Sequence, residues 1–186
     1  MNVELFQGFM QASHLRKDGN ASRLLREFIE SFDTTKEKDD WVVSFLDSDD
    51  FGHKINRLLY RELVFPVLHC GFVEKDAWSL YYLARTSLNL RDAEDLHELV
   101  LNLTSNEYLR LCYEADPAFR NVRETLLGSV IGMLSYAIHE WPDGLCVEEG
   151  EIDSALAFGR QIDVEMVNES FFREVEGILQ QAVQRK

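Results

Sequence analysis

A chain of 186 residues with 46% hydrophobic side chains can bury a sizeable core, and one domain spanning 1–186 is expected. It carries 19 Lys and Arg against 33 Asp and Glu, a formal net charge of −14, with a pI near 4.7. That field repels nucleic-acid phosphates and anionic lipid heads and attracts basic partners, so neither nucleic acid nor a membrane is an expected partner.

Helical spacing runs from end to end. Phe6, Phe9 and Met10 predict a first helix closed by a turn at Asp18-Gly19-Asn20. Leu24, Leu25, Phe28, Ile29 and Phe32 form a stripe at helical spacing for a second. Trp41 to Leu46 is a short apolar run that fits either a buried strand or a short helix, followed by the loop Asp47-Ser48-Asp49-Asp50-Phe51-Gly52. Ile55, Leu58, Leu59 and Leu63 resume the helical pattern until Pro66, which should end or kink it.

Amphipathic helices are then predicted over Asp76–Leu88 and Ala93–Leu103, and Ser105 is expected to cap Asn106–Ala115. A long apolar helix should open at Asp116-Pro117 and stop at Trp141-Pro142-Asp143-Gly144, because Asp and Pro suit a helix start and Asp-Gly favours a turn. Its apolar residues lie nearly all round, and Gly128 and Gly132 should let a neighbouring helix approach closely. One or two terminal helices follow. The expected fold is all-α, a compact bundle of about eight or nine helices around that central one.

The start Met1-Asn2-Val3-Glu4 has an acid where a secretory signal would be basic, and Leu126–Ile138 is too short to span a bilayer. Cys70, Cys112 and Cys146 are sparse and odd in number, as expected for reduced thiols in a cytoplasmic protein.

Two stretches carry a family resemblance. Asp76-Ala-Trp-Ser-Leu-Tyr-Tyr-Leu-Ala-Arg85 resembles the first helix of a tetratricopeptide or Sel1-like repeat, and Ala115-Asp116-Pro117 resembles the end of such a unit, so the likeness spans residues 76–140. Trp78 fits the repeat's Trp, whereas its Leu, Gly and Tyr positions hold Tyr81, Tyr82 and Arg85. The resemblance implies helix-hairpin packing and protein interaction. It supplies no functional residues.

Constellations of chemical side chains are incomplete. Asp47 and Asp49 after an apolar run resemble the D-x-D nucleophile of haloacid-dehalogenase-type phosphatases, which need a parallel sheet that no βαβ alternation provides here. The same aspartates fail as an EF-hand loop because Phe51 and Leu58 stand at ligand positions five and twelve. Glu94-x-x-His97 has the spacing of half a di-iron site, with no second such pair, and His139-Glu140 lacks the second histidine of a zinc motif. No metal or cofactor is expected.

Two acidic concentrations remain. One includes Asp33, Glu37, Asp39, Asp40, Asp47, Asp49 and Asp50; the other includes Glu148, Glu149, Glu151, Asp153, Asp163, Glu165 and Glu169. Solvated loops explain both. The functional reading is a basic protein partner steered by Asp39, Asp40, Asp47, Asp49, Asp50, Glu148, Glu149 and Glu151. Trp41, Phe51 and Trp141 would supply apolar anchors. Size, acidity and absent catalytic signatures point to a non-enzymatic binding module, in its specific form an immunity- or antitoxin-type protein masking a basic toxin domain. The alternatives are an enzyme whose carboxylates and histidines assemble only in the fold, around a metal or without one, and a structural adaptor subunit.

Overall fold

Aromatic and aliphatic side chains at three- and four-residue spacing give helices wherever they recur. In the computed structural model, which describes residues 1–15, 18–48, 51 and 55–184, every regular element is a helix. Nine helices reach seven residues or more among the described residues. The chain divides into two units, Met1–Ala115 and Asp116–Lys186.

The first unit begins with α1 (Val3–His14) and α2 (Asp18–Glu30), which pack on each other. Residues 18–20 thus open α2 rather than forming a turn. Asn2 caps α1 by accepting from the Glu4 N–H, and Thr34 caps α3 (Thr35–Asp47) by accepting from the Glu37 N–H. Trp41–Leu46 is therefore helical. Its rings close an aromatic cluster: Trp41 stacks on Phe45 at 4.8 Å between centroids and meets Phe28 and Phe6 edge-on.

A short helix α4 (Arg57–Leu59) passes through a π-helical turn (Tyr60–Val64) into α5 (Phe65–Glu74). The Phe65 N–H reaches the Tyr60 carbonyl five residues back, directly before Pro66, which has no N–H to give. The wider turn accommodates the proline, and the helix continues instead of ending. Lys75 in the left-handed region stops α5, with the Asp76 N–H bonded to the Gly71 carbonyl. A Cβ on Gly71 would collide with the Ser79 side chain.

Asp76 then caps α6 (Ala77–Arg85), accepting from both the backbone N–H and the hydroxyl of Ser79. After α7 (Ser87–Arg91) and α8 (Glu94–Leu99), α9 (Ser105–Ala115) packs along α6. Its cap is Thr104, not Ser105. Thr104 and Glu107 form a reciprocal capping box, while the Ser105 hydroxyl donates to the Ala84 carbonyl.

The second unit consists of α10 (Val122–Ala137), α11 (Glu149–Ile162) and α12 (Glu169–Gln184). α10 starts later and ends earlier than the residues suggest. The Asp116 carboxylate accepts from the Ala118 N–H in a turn, and Arg120, at φ 45°, breaks any helix before Asn121. The buried face is a single stripe of Val122, Leu126, Val130, Leu134 and Ala137. Its Val130, Leu134 and Ala137 form one cluster with Ile152, Leu156, Phe172 and Val175 of the other two helices. Burying a ring such as that of Phe172 contributes about 1.5–3 kcal/mol.

Gly128 and Gly132 face open space: a methyl group placed on either would have no atom of the described residues within 4 Å. The close approach is at Gly159, where a Cβ would lie 2.9 Å from Phe172 Cζ and 3.0 Å from Val130 Cγ1. No helix among the described residues is long and apolar enough to cross a membrane.

Candidate functional site

The two acidic concentrations have different fates. In α3, Asp40 pairs with Lys36 at 2.7 Å one turn earlier, and both are exposed. Asp39 is half-buried beside them in sequence. At the end of the helix the Asp47 carboxylate accepts from Trp78 Nε1 and from the Tyr82 hydroxyl, each at 2.9 Å. Asp47 therefore ties α3 to α6. Asp49 and Asp50 lie outside the described residues. Trp41 sits in the aromatic cluster and Phe51 is 3% exposed under the Arg85 guanidinium, so neither is an exposed anchor.

The second concentration is less compensated. Residues 124–159 contain seven Asp and Glu and no Lys or Arg. After α10 the chain turns through Trp141, whose N–H bonds to the Ile138 carbonyl, and Cys146 returns its N–H to the Ala137 carbonyl at 2.9 Å. This turn and the start of α11 surround a hollow of about 290 Å³ lined by Trp141, Pro142, Asp143, Leu145, Glu148 and Glu149. Glu148 stands at the N-cap of α11, and Glu149 and Glu151 lie in its first turn, where the helix dipole favours carboxylates. Asp143, Glu148, Glu151 and Asp153 have no ion-pair partner among the described residues.

α12 contrasts with this. Glu169 accepts from Arg173 at 2.9 Å and from Arg160 at 3.4 Å, and Arg160 also reaches Glu176 at 2.9 Å. The Arg173 hydrogen bond, with the Arg160 charge, holds the Glu169 carboxyl below the usual glutamate range. The uncompensated charge thus gathers on the 138–153 side of the unit.

His97 and His139 are engaged locally. His97 Nε2 lies 3.0 Å from the Leu103 carbonyl, and His139 lies 3.7 Å from Glu140 on the surface. Cys112 is buried with its thiol toward the Ala77 carbonyl at 3.2 Å. No group of three metal-binding side chains is gathered among the described residues. The first unit also has an apolar hollow of about 640 Å³, lined by Phe72, Val73, Leu80, Leu101 and Leu111 with Lys75 and Glu114.

The carboxylates of the second unit were legible from composition, but the hollow was not. It depends on Pro142 and Ala182 coming to the same place from distant points of the chain. Fold and site together define an all-α protein with an acidic surface segment over residues 138–153. Comparison with protein-family models, curated proteins and solved structures gave no match.

Proposed function

We propose that the protein is a non-enzymatic helical binding module that docks a basic protein partner through the 138–153 segment. The observation that carries this reading is the run of six carboxylates without one Lys or Arg over residues 138–153, three of which border the Trp141 hollow. Such a segment speeds encounter with a cationic surface, and its carboxylates pair with incoming Lys or Arg. Trp141, half-buried at the edge of the hollow, adds a ring of the kind that attracts the same cations. Masking of a basic toxin domain, as an immunity- or antitoxin-type protein does, is one form this function takes.

The test is to recover proteins bound by the full chain, purify the recovered protein and titrate it calorimetrically at about 0.05 and about 0.3 M salt. A basic protein whose affinity falls with salt, and falls again for Glu148→Gln/Glu149→Gln/Glu151→Gln, is the expected result. A recovered protein without net positive charge, or an affinity indifferent to salt, would overturn the reading.

A further inference from the structure

Among the described residues Asp163 is the one buried charged side chain, 6% exposed, and what it holds is a loop that shows its apolar residues to solvent. Its carboxylate accepts from the Asn168 N–H at 2.8 Å and the Val167 N–H at 3.3 Å, and its carbonyl accepts from the Met166 N–H at 2.9 Å. Met166 is fixed at φ 53°, in the left-handed region that methionine seldom occupies. The outcome is a tip on which Val164, Met166 and Val167 are 63%, 66% and 71% exposed. A methionine held in the left-handed region opposes folding.

We propose that the Val164–Val167 tip, about 21 Å along α11 from Glu149, is a second, apolar anchor for the same partner, held in its binding shape by Asp163. This rests on the basic-partner reading above. A hollow of about 250 Å³ flanks the tip, and its lining includes Leu127, Ile162, Val164 and Val167 together with Glu124 and Glu165. Arg123 is the cation there, 3.0 Å from Glu124 and 3.9 Å from Glu165, so the rim keeps an excess of carboxylate over guanidinium. The surface therefore fits a partner whose own apolar patch is ringed by Lys or Arg. Apolar contacts inside a charged rim supply most of the affinity of an interface, and a loop ordered beforehand loses little entropy on docking.

The experiment uses the basic protein recovered in the capture above, titrated against the full chain. In Val164→Ser/Met166→Ser/Val167→Ser, which changes exposed positions only, the Kd rises at least about tenfold and the salt dependence stays as in the wild type. In Asp163→Ala the three tip side chains remain, yet the Kd also rises, and the Val167 and Asn168 amides exchange with deuterium at least about tenfold faster in the free chain. A triple-serine variant that binds as tightly as the wild type overturns the anchor while leaving the charge reading in place, provided the Glu148/Glu149/Glu151 variant is weakened. Unchanged affinity and exchange in Asp163→Ala overturn the holding role. Recovery of no basic protein removes the charge reading itself, and the anchor with it.

Discussion

Tyr82, wholly buried in α6, donates its hydroxyl at 2.9 Å to Asp47, the last residue of α3. An acidic residue that looks like a solvated loop carboxylate, or like half of a D-x-D nucleophile, is therefore a structural acceptor shared with Trp78 Nε1. Asp47→Ala removes an acceptor from a buried phenol and should lower stability by about 1–3 kcal/mol, whereas Asp47→Asn keeps an oxygen there and should cost less. Urea denaturation followed by tryptophan fluorescence measures both. Equal stability of Asp47→Ala and wild type would show that the link carries no weight in the fold.

Four helical glycines separate into two pairs with opposite expectations. Gly128→Ala and Gly132→Ala add a methyl where nothing lies within 4 Å, inside α10, and each should stabilise by about 0.4–1 kcal/mol. Gly71→Ala and Gly159→Ala drive a methyl into Ser79 and into Phe172 with Val130, and each should destabilise by about 1–3 kcal/mol. Thermal melts of the four single variants give the signs directly. A loss of stability at Gly128 or Gly132 would mean that a neighbour does pack there.

What the residues revealed and what they hid follows from range. The stripe from Leu24 to Ile29 identified α2 because amphipathic spacing is a property of one helix alone, although Phe32, at the same spacing, falls past its end. The limits of α10 were concealed because Asp116-Pro117 is equally suited to a helix start and to a turn, and only the backbone of Arg120 at φ 45° decides between them. Glycine spacing named Gly128 and Gly132, yet the tight contact is at Gly159, chosen by Phe172 thirteen residues later and Val130 twenty-nine residues earlier. The same holds for the candidate site. A run of carboxylates can be counted in the chain, but the Asp47 bonds to Trp78 and Tyr82 bridge 31 and 35 residues. The exposure of Val164, Met166 and Val167 depends on where Asp163 sits, which no local pattern encodes.

The capping box at the start of α9 makes a pH prediction. The backbone N–H of Thr104, then its hydroxyl, hold the Glu107 carboxyl below its ordinary value. A depressed carboxyl contributes stability that is fully present above the unfolded glutamate value and is lost as pH falls through the folded one. Wild type should therefore exceed Glu107→Gln in stability at neutral pH, and the gap should close on acidification below the glutamate range. Paired urea titrations across that range measure it, and a gap independent of pH would rule out the ionised carboxylate as its source.

At the other end of the scale, two phenols couple the fold to alkali. Tyr60 is 1% exposed with its hydroxyl 3.2 Å from Thr86 Oγ1, and Tyr108 is fully buried with its hydroxyl on the Val100 carbonyl at 3.1 Å. Burial pushes both phenols up from their ordinary value. Each therefore favours the folded state fully below the unfolded tyrosine value, about 10, and that contribution is lost as pH rises from there through the folded value. On raising the pH, the ultraviolet absorbance of these two phenolates should appear only together with loss of the far-ultraviolet helical signal. Tyr60→Phe and Tyr108→Phe should each remove one such late phenolate and leave a chain that unfolds at higher pH. Ionisation of either residue before the helices melt would show that its hydroxyl is open to solvent and that the α6–α9 side of the unit is looser than its burial implies.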